Sequence, residues 1–228
     1  MKTILFQGDS ITDCGRLREP SGNWIEKLYS ATKNRISGAT ELGPGYPAMV
    51  AKALGNDGYT YVNRGVGGDR ILDIYARIVR DIIVVKPDVM SLLVGVNDIW
   101  HGFDWNNGTG LKRFEKMYNM LFEELTEELP DTKFIILGAF ALRGSATDNR
   151  PNQPDRYKFF KEGIAQVVEI ERAVAEKYGF KFIDLEEILN EEAAKLPEKA
   201  LAEDGVHPTE KGHEIITREW LKAFNEFD

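Results

Sequence analysis

Five short apolar runs, at residues 3–7, 59–63, 89–95, 133–139 and 180–185, recur along a chain of 228 residues. They read as strands buried on both faces. Segments of helical pattern alternate with them at 46–54, 70–85, 111–129, 153–178 and 208–227. Gly179 stands where a helix C-cap glycine is expected, and Pro208 where proline suits a first helical turn. Strand–helix alternation implies an open parallel sheet with helices on both faces, an α/β fold. The expected architecture is a three-layer α/β/α sandwich around a five-stranded parallel sheet. Right-handed crossovers bring the strand C-termini to one edge, where sites in such folds lie. Residues 14–42 break the alternation and read as an insertion after the first strand, with 23–36 helical. The sequence leaves open whether this insertion is a lid or a subunit interface.

The length suits one core, so residues 1–228 are expected to form a single domain. Twenty-nine lysines and arginines against 37 acidic residues give a formal charge of −8. So acidic a balance argues against binding nucleic acid, which needs a basic face, and disfavours an anionic membrane surface. No apolar run approaches a membrane span, and the first one is too short for a signal peptide. Cys14 is the only cysteine, which excludes an internal disulfide. These features point to a cytoplasmic protein. No P-loop and no cysteine or histidine cluster of metal spacing is present, so neither cofactor nor metal is expected.

The chemistry sits at the ends of the apolar runs. Gly8-Asp9-Ser10 follows the first run, and Asn63-Arg64-Gly65-Val66-Gly67-Gly68-Asp69 closes the second. Gly95-Val96-Asn97-Asp98 follows the third, and Asp204-Gly205-Val206-His207-Pro208 comes near the end. A serine, a histidine and an aspartate on one sheet edge are the parts of an acyl-transfer site. A backbone glycine and an asparagine beside them are the parts of an oxyanion hole. Taken alone, Ser10 reads more often as a helix N-cap than as a nucleophile, Asn97 as a turn residue and the paired glycines as a tight turn. Of the three histidines, His207 has a carboxylate three residues earlier across a glycine turn, able to fix the imidazole tautomer. His213 falls within a helical pattern and reads as packed or surface. His101 lies in an aromatic loop, 99–105, where with Trp100 and Trp105 it reads as a substrate contact or, alternatively, as an anchor of the loop or of a subunit contact. Asp9 is expected to bond nearby backbone, pointing away from Ser10.

In this order the four blocks resemble those of the SGNH hydrolases, also called the GDSL lipase/esterase family. The resemblance spans the chain and implies that family's flavodoxin-like fold. The family serine, glycine, asparagine and histidine map to Ser10, Gly68, Asn97 and His207, with the acid at Asp204. Ile11 stands where the family motif usually has leucine. The resemblance implies a serine esterase working through an acyl-enzyme. Its oxyanion would be held by the N–H groups of Ser10 and Gly68 and by the Asn97 amide. Gly-Asp-Ser-Ile-Thr-Asp-Cys-Gly-Arg and Gly-Val-Asn-Asp-Ile-Trp look like the motifs of intracellular bacterial esterases that deacetylate xylan fragments. The expected partner is thus a small acetylated sugar, with homo-oligomerisation left open. A lysophospholipase or thioesterase of the same fold, or a non-catalytic ligand-binding protein, are the alternatives.

Overall fold

The computed structural model describes residues 1–17, 40–197 and 199–227. The helix expected at 23–36, and most of the insertion at 14–42, lie outside the described residues. Strands β1 (Lys2–Gly8), β2 (Tyr59–Asn63), β3 (Val89–Leu93), β4 (Lys133–Leu137) and β5 (Lys181–Ile183) form one sheet in the order β2-β1-β3-β4-β5. Every neighbouring pair is parallel. The helices are α1 (Ser10–Asp13), α2 (Tyr46–Leu54), α3 (Ile71–Ala76), α4 (Val96–Trp105), α5 (Leu111–Glu128), α6 (Arg156–Tyr178), α7 (Leu185–Ala193) and α8 (Glu210–Asn225).

The strand register explains the layers. Phe6, Ser91 and Ile135 lie side by side on one face, and Leu5, Met90 and Phe134 on the other. Phe6 packs on Tyr46 of α2 and Trp220 of α8, with ring centres 5.7 and 5.6 Å apart. Phe134 meets Phe122 of α5 edge-on at 5.6 Å. Leu5, Phe6, Met90 and Ile135 are all fully buried. Burial of side chains this size contributes about 1.5–3 kcal/mol each, so the helix-covered sheet supplies the core.

Several elements differ from the sequence-based expectation. The aromatic segment after β3 is a ten-residue helix, α4, not a loop. Gly95, with φ of 130°, ends the strand course early; Val96 and Ile99 then bury one helical face. Asn97 and Asp98 look like turn formers, but both are well tolerated in a first helical turn, where a carboxylate is favoured. The strand expected through Leu185 stops at Ile183, because Asp184 caps α7 by accepting from the Glu187 N–H at 3.0 Å. The helix expected at 70–85 is interrupted at Arg77 and continues as a π-helical turn, Val79–Ile83. At the chain's end Thr209, not Pro208, is the N-cap, accepting from the Gly212 N–H, so Pro208 precedes the helix. Gly179 caps α6 in the left-handed conformation, as expected.

The strand order places the site. β2, β1 and β3 are contiguous in the sheet, with Gly8 paired to Leu93 and Phe6 to Asn63. Three of the four polar-glycine blocks therefore leave the same edge side by side. Gly8 has to be glycine, since a Cβ there would overlap the Leu93 carbonyl oxygen and Thr12 Oγ1. The fourth block lies between α7 and α8 and is held by the segment after β4. Leu142 and Ala146 donate their N–H groups to the carbonyls of Gly205 and Asp204 at 2.8 and 2.9 Å.

Candidate active site

Ser10 is the first residue of α1, but it does not cap that helix. Asp9 does, accepting from the Ile11 N–H at 2.9 Å. The serine hydroxyl is therefore released from capping, and its Oγ lies 2.8 Å from His207 Nε2. On the other side of the ring, His207 Nδ1 is 2.6 Å from Asp204 Oδ2. Asp204 Oδ1 accepts from the N–H groups of Val206 and His207 at 2.9 and 2.8 Å. Burial pushes the Asp204 carboxyl up, but these bonds outweigh it and hold the group below its ordinary value. The bond from Asp204 raises His207 above 6.5, against the opposing effect of burial. The fold thus brings together serine, histidine and carboxylate from positions nearly two hundred residues apart.

The glycine block is adjacent. A Cβ at Gly67 would lie 3.7 Å from the Ser10 Cβ, and the Gly67 N–H donates to Asp13 Oδ2 at 3.1 Å. Gly68 has φ of 87°, the left-handed region that favours glycine. Asn97 sits in the first turn of α4, almost wholly buried. Its amide donates to the Asp69 carbonyl at 3.1 Å and lies 3.5 Å from Asp9 Oδ2. Burial raises the carboxyls of Asp9 and Asp98 to about 7. Asp98 faces the Ile71 N–H at 3.2 Å and so ties α4 to the start of α3.

The aromatics expected to contact substrate stand on α4. Trp100 lies 6.2 Å from the His207 ring and 6.1 Å from Trp105, on which it stacks. Trp105 is 60% exposed, an apolar ring face open to solvent. His101 meets Trp105 edge-on at 4.8 Å, and its Cε1 is 3.9 Å from where a Gly68 Cβ would stand. Burial and the neighbouring Arg70 lower the His101 pKa. His213 is the packed kind of histidine, away from the surface. Its Nδ1 accepts from the Tyr46 N–H at 3.2 Å, and burial lowers it to about 4.

Two residues near the site carry no signal in a sequence whose 99–105 segment reads as a loop. Asp104 accepts the Trp100 indole N–H at 2.7 Å, an i, i+4 pairing visible only once 96–105 is a helix. Arg156 grips Asp104 from 52 positions away and holds its carboxyl down at about 2. A cavity of about 420 Å3 lined by Asp98, Gly102, Phe159 and Gln166 lies against α4 and includes none of the groups around Ser10. Among the described residues, no group of three or more His, Cys, Asp or Glu side chains is arranged to hold a metal ion. No helix of the described residues is long and apolar enough to cross a membrane.

Known proteins resemble this chain in sequence and in fold. The sequence profile of the GDSL-like Lipase/Acylhydrolase family matches residues 6–215. An acetylxylan esterase from Geobacillus stearothermophilus is 34% identical over 225 residues, covering 96% of this chain and 92% of that protein. A crystal structure of an acetylxylan esterase from the same organism superposes with a TM-score of 0.74 at 28% identity, over 97% of this chain and 93% of that one. Solved catalytic mutants of that esterase replace a serine, an aspartate or a histidine with alanine. A GDSL-like lipase structure from Parabacteroides merdae, 28% identical, superposes with a TM-score of 0.79 over 97% of this chain and 94% of that one. The blocks at the sheet edge, the parallel sheet behind them and the family match agree: the chain belongs to the GDSL-like lipase/acylhydrolase family and is a carboxylic-ester hydrolase.

Proposed function

We propose that this protein is a serine esterase that removes acetyl groups from small carbohydrates such as xylo-oligosaccharides, acting as one domain. The observation that carries the reading is the unbroken chain from Ser10 Oγ through the His207 ring to Asp204, at 2.8 and 2.6 Å. Ser10 attacks the ester carbonyl while His207 Nε2 takes its proton. His207 then returns the proton to the leaving alcohol, giving an acetyl-enzyme. Water, activated by the same ring, attacks that ester and releases acetate. Asp204 holds Nδ1–H and stabilises the imidazolium between the steps. The N–H groups of Ser10 and Gly68 and the Asn97 amide bind the oxyanion, each worth on the order of 3 kcal/mol in the transition state. One amide hydrogen of Asn97 is held by the Asp69 carbonyl at 3.1 Å; the other faces Asp9 Oδ2 at 3.5 Å, a long bond that it exchanges for the oxyanion.

The sugar reading rests on Trp100, Trp105 and His101, which form an aromatic wall beside His207. Pyranose rings stack on such faces while their hydroxyls remain wetted. The similarity to an acetylxylan esterase supports the same substrate class. A fluorophosphonate probe tests the chemistry, and paired rates on acetyl and long-chain esters test the substrate. The expected result is a covalent label on Ser10 and faster turnover of acetyl esters. No label on Ser10 would overturn its assignment as the nucleophile; faster long-chain turnover would make the chain a lysophospholipase-type enzyme.

A further inference from the structure

Arg156 opens α6 and is fully buried. The steps of ester hydrolysis make no use of it, and a guanidinium taken out of water is tolerated only where its donors find partners. Two of its nitrogens donate to Asp104 Oδ1 and Oδ2 at 2.5 and 2.8 Å, a bidentate fork. The first of these also reaches Gln153 Oε1 at 2.8 Å, and Nε donates to the Ala146 carbonyl at 2.5 Å. The rings of Phe103 and Phe160 each lie 5.2 Å from the guanidinium carbon.

Both anchors lead to the same pair of residues. Asp104 accepts the Trp100 indole N–H, and Trp100 packs against the His207 ring. Ala146 donates its N–H to the Asp204 carbonyl, while its neighbours Ser145 and Leu142 hold the carbonyls of Glu203 and Gly205 at 3.2 and 2.8 Å. The contacts close into a ring: Arg156, Asp104, Trp100, His207, Asp204 and Ala146. We propose that Arg156, with Asp104, is a positioning residue for the acid–base pair, fixing His207 from the indole side and Asp204 from the backbone side. This rests on the esterase reading, because it assigns the pair something to position. Lysine cannot replace the fork. It is a single point charge and cannot meet two carboxylate oxygens and a carbonyl in one plane.

The test compares Arg156→Lys with wild type on p-nitrophenyl acetate, with circular dichroism and melting to count folded enzyme. A base displaced by about 1 Å can cost roughly 100-fold. The expected result is a kcat loss of about 10- to 100-fold per folded molecule with KM nearly unchanged. The acid limb of the pH profile should move to lower pH as the His207–Asp204 bond loosens. Trp100→Phe removes the N–H offered to Asp104 and should move the limb the same way. The two substitutions together should cost little more than either, since they cut one chain of contacts. Native kcat and pH profile in folded Arg156→Lys, whatever its Tm, would make the ion pair purely structural and overturn the proposal; full additivity with Trp100→Phe would do the same. If Arg156→Lys does not fold, Asp104→Asn replaces it in the same comparison and is read by the same criteria, since it keeps the carboxylate's shape. A wild type inactive on acetyl esters would overturn the esterase reading together with this proposal; an active wild type with unaffected variants overturns this proposal alone.

Discussion

Asp204→Asn changes almost no volume and isolates what the carboxylate does for His207. The Asp204 Oδ1 accepts from the N–H groups of Val206 and His207, and an asparagine oxygen can keep both bonds. With the oxygen held there, the amide nitrogen takes the Oδ2 position, 2.6 Å from His207 Nδ1. It offers a hydrogen where the carboxylate accepted one. Nδ1 must then accept, the ring proton moves to Nε2, and Nε2 can no longer take the proton of Ser10. Trapping the wrong tautomer costs about 10⁴ in kcat in sites of this kind. At about 1.36 kcal/mol per tenfold, that is roughly 5.5 kcal/mol of barrier. The His207 and Asp204 side chains are 45% and 29% exposed, so water screens the Coulombic share. The tautomer share is unscreened, and the expected loss is about 10³- to 10⁴-fold. Steady-state turnover of p-nitrophenyl acetate at about pH 8, where an ordinary histidine is neutral, measures it. The retained backbone bonds should keep the melting temperature within a few degrees of wild type. A variant within about tenfold of wild type would show that Asp204 does not set the tautomer, and the assignment of the acid would fall.

Ser10→Ala and His207→Ala should each abolish nearly all turnover, and the double variant should be hardly slower, because nucleophile and base act as one unit. Near-multiplicative losses in single-turnover assays would separate them. Since His207 is raised above 6.5 and only the neutral ring can act as base, kcat/KM should climb with pH through a midpoint above 6.5. A profile flat across that range would exclude His207 as the base. Asn97→Ala should lower kcat by roughly 100-fold or more with little change in KM, because the bond forms chiefly to the oxyanion; a rise in KM alone would make Asn97 a ground-state contact. Trp105→Ala removes an exposed ring that touches Trp100 and His101, and should lower stability by no more than about 1.5 kcal/mol. It should also slow hydrolysis of an acetylated xylo-oligosaccharide more than that of p-nitrophenyl acetate, and equal losses on both would end the sugar-platform reading.

The sheet is readable from sequence because its strands announce themselves without help from partners. The runs at 3–7 and 133–139 are apolar enough that burial on both faces is the natural reading, and β1 and β4 stand there. Ser10, Asp204 and His207 are legible for a different reason: Asp204 and His207 are local to each other, and Ser10 follows a strand directly. Local spacing fails at α4. Gly95, Asn97 and Asp98 have strong turn propensities, while the burial of Val96 and Ile99 and the Asp98 tie to Ile71 that accompany the helix are tertiary. The start of α7 is written in the chain, since Asp184 with Glu187 three residues later is a helix-start pattern, but the apolar run through Leu185 masks it. Arg156 is linked to the site by no sequence spacing. Its partners, Asp104 and Ala146, are joined to it only through the fold.

The one-residue offset between the Asp9 cap and Ser10, the proposed nucleophile, has a practical consequence. Because Asp9 closes the end of α1, the Ser10 side chain bears no share of the helix's integrity. The proposed nucleophile is thus a replaceable part: exchanging its oxygen for hydrogen or sulfur should leave the Asp9 cap and the sheet edge behind it intact. A Ser10→Ala protein should remain a folded receptor for its ester, with the aromatic wall and the Asp204–His207 bond still in place. Such a variant can hold an uncleaved substrate long enough for its identity to be read from the bound molecule itself. The helix cap thereby offers a direct test of the proposed acetylated-sugar substrate.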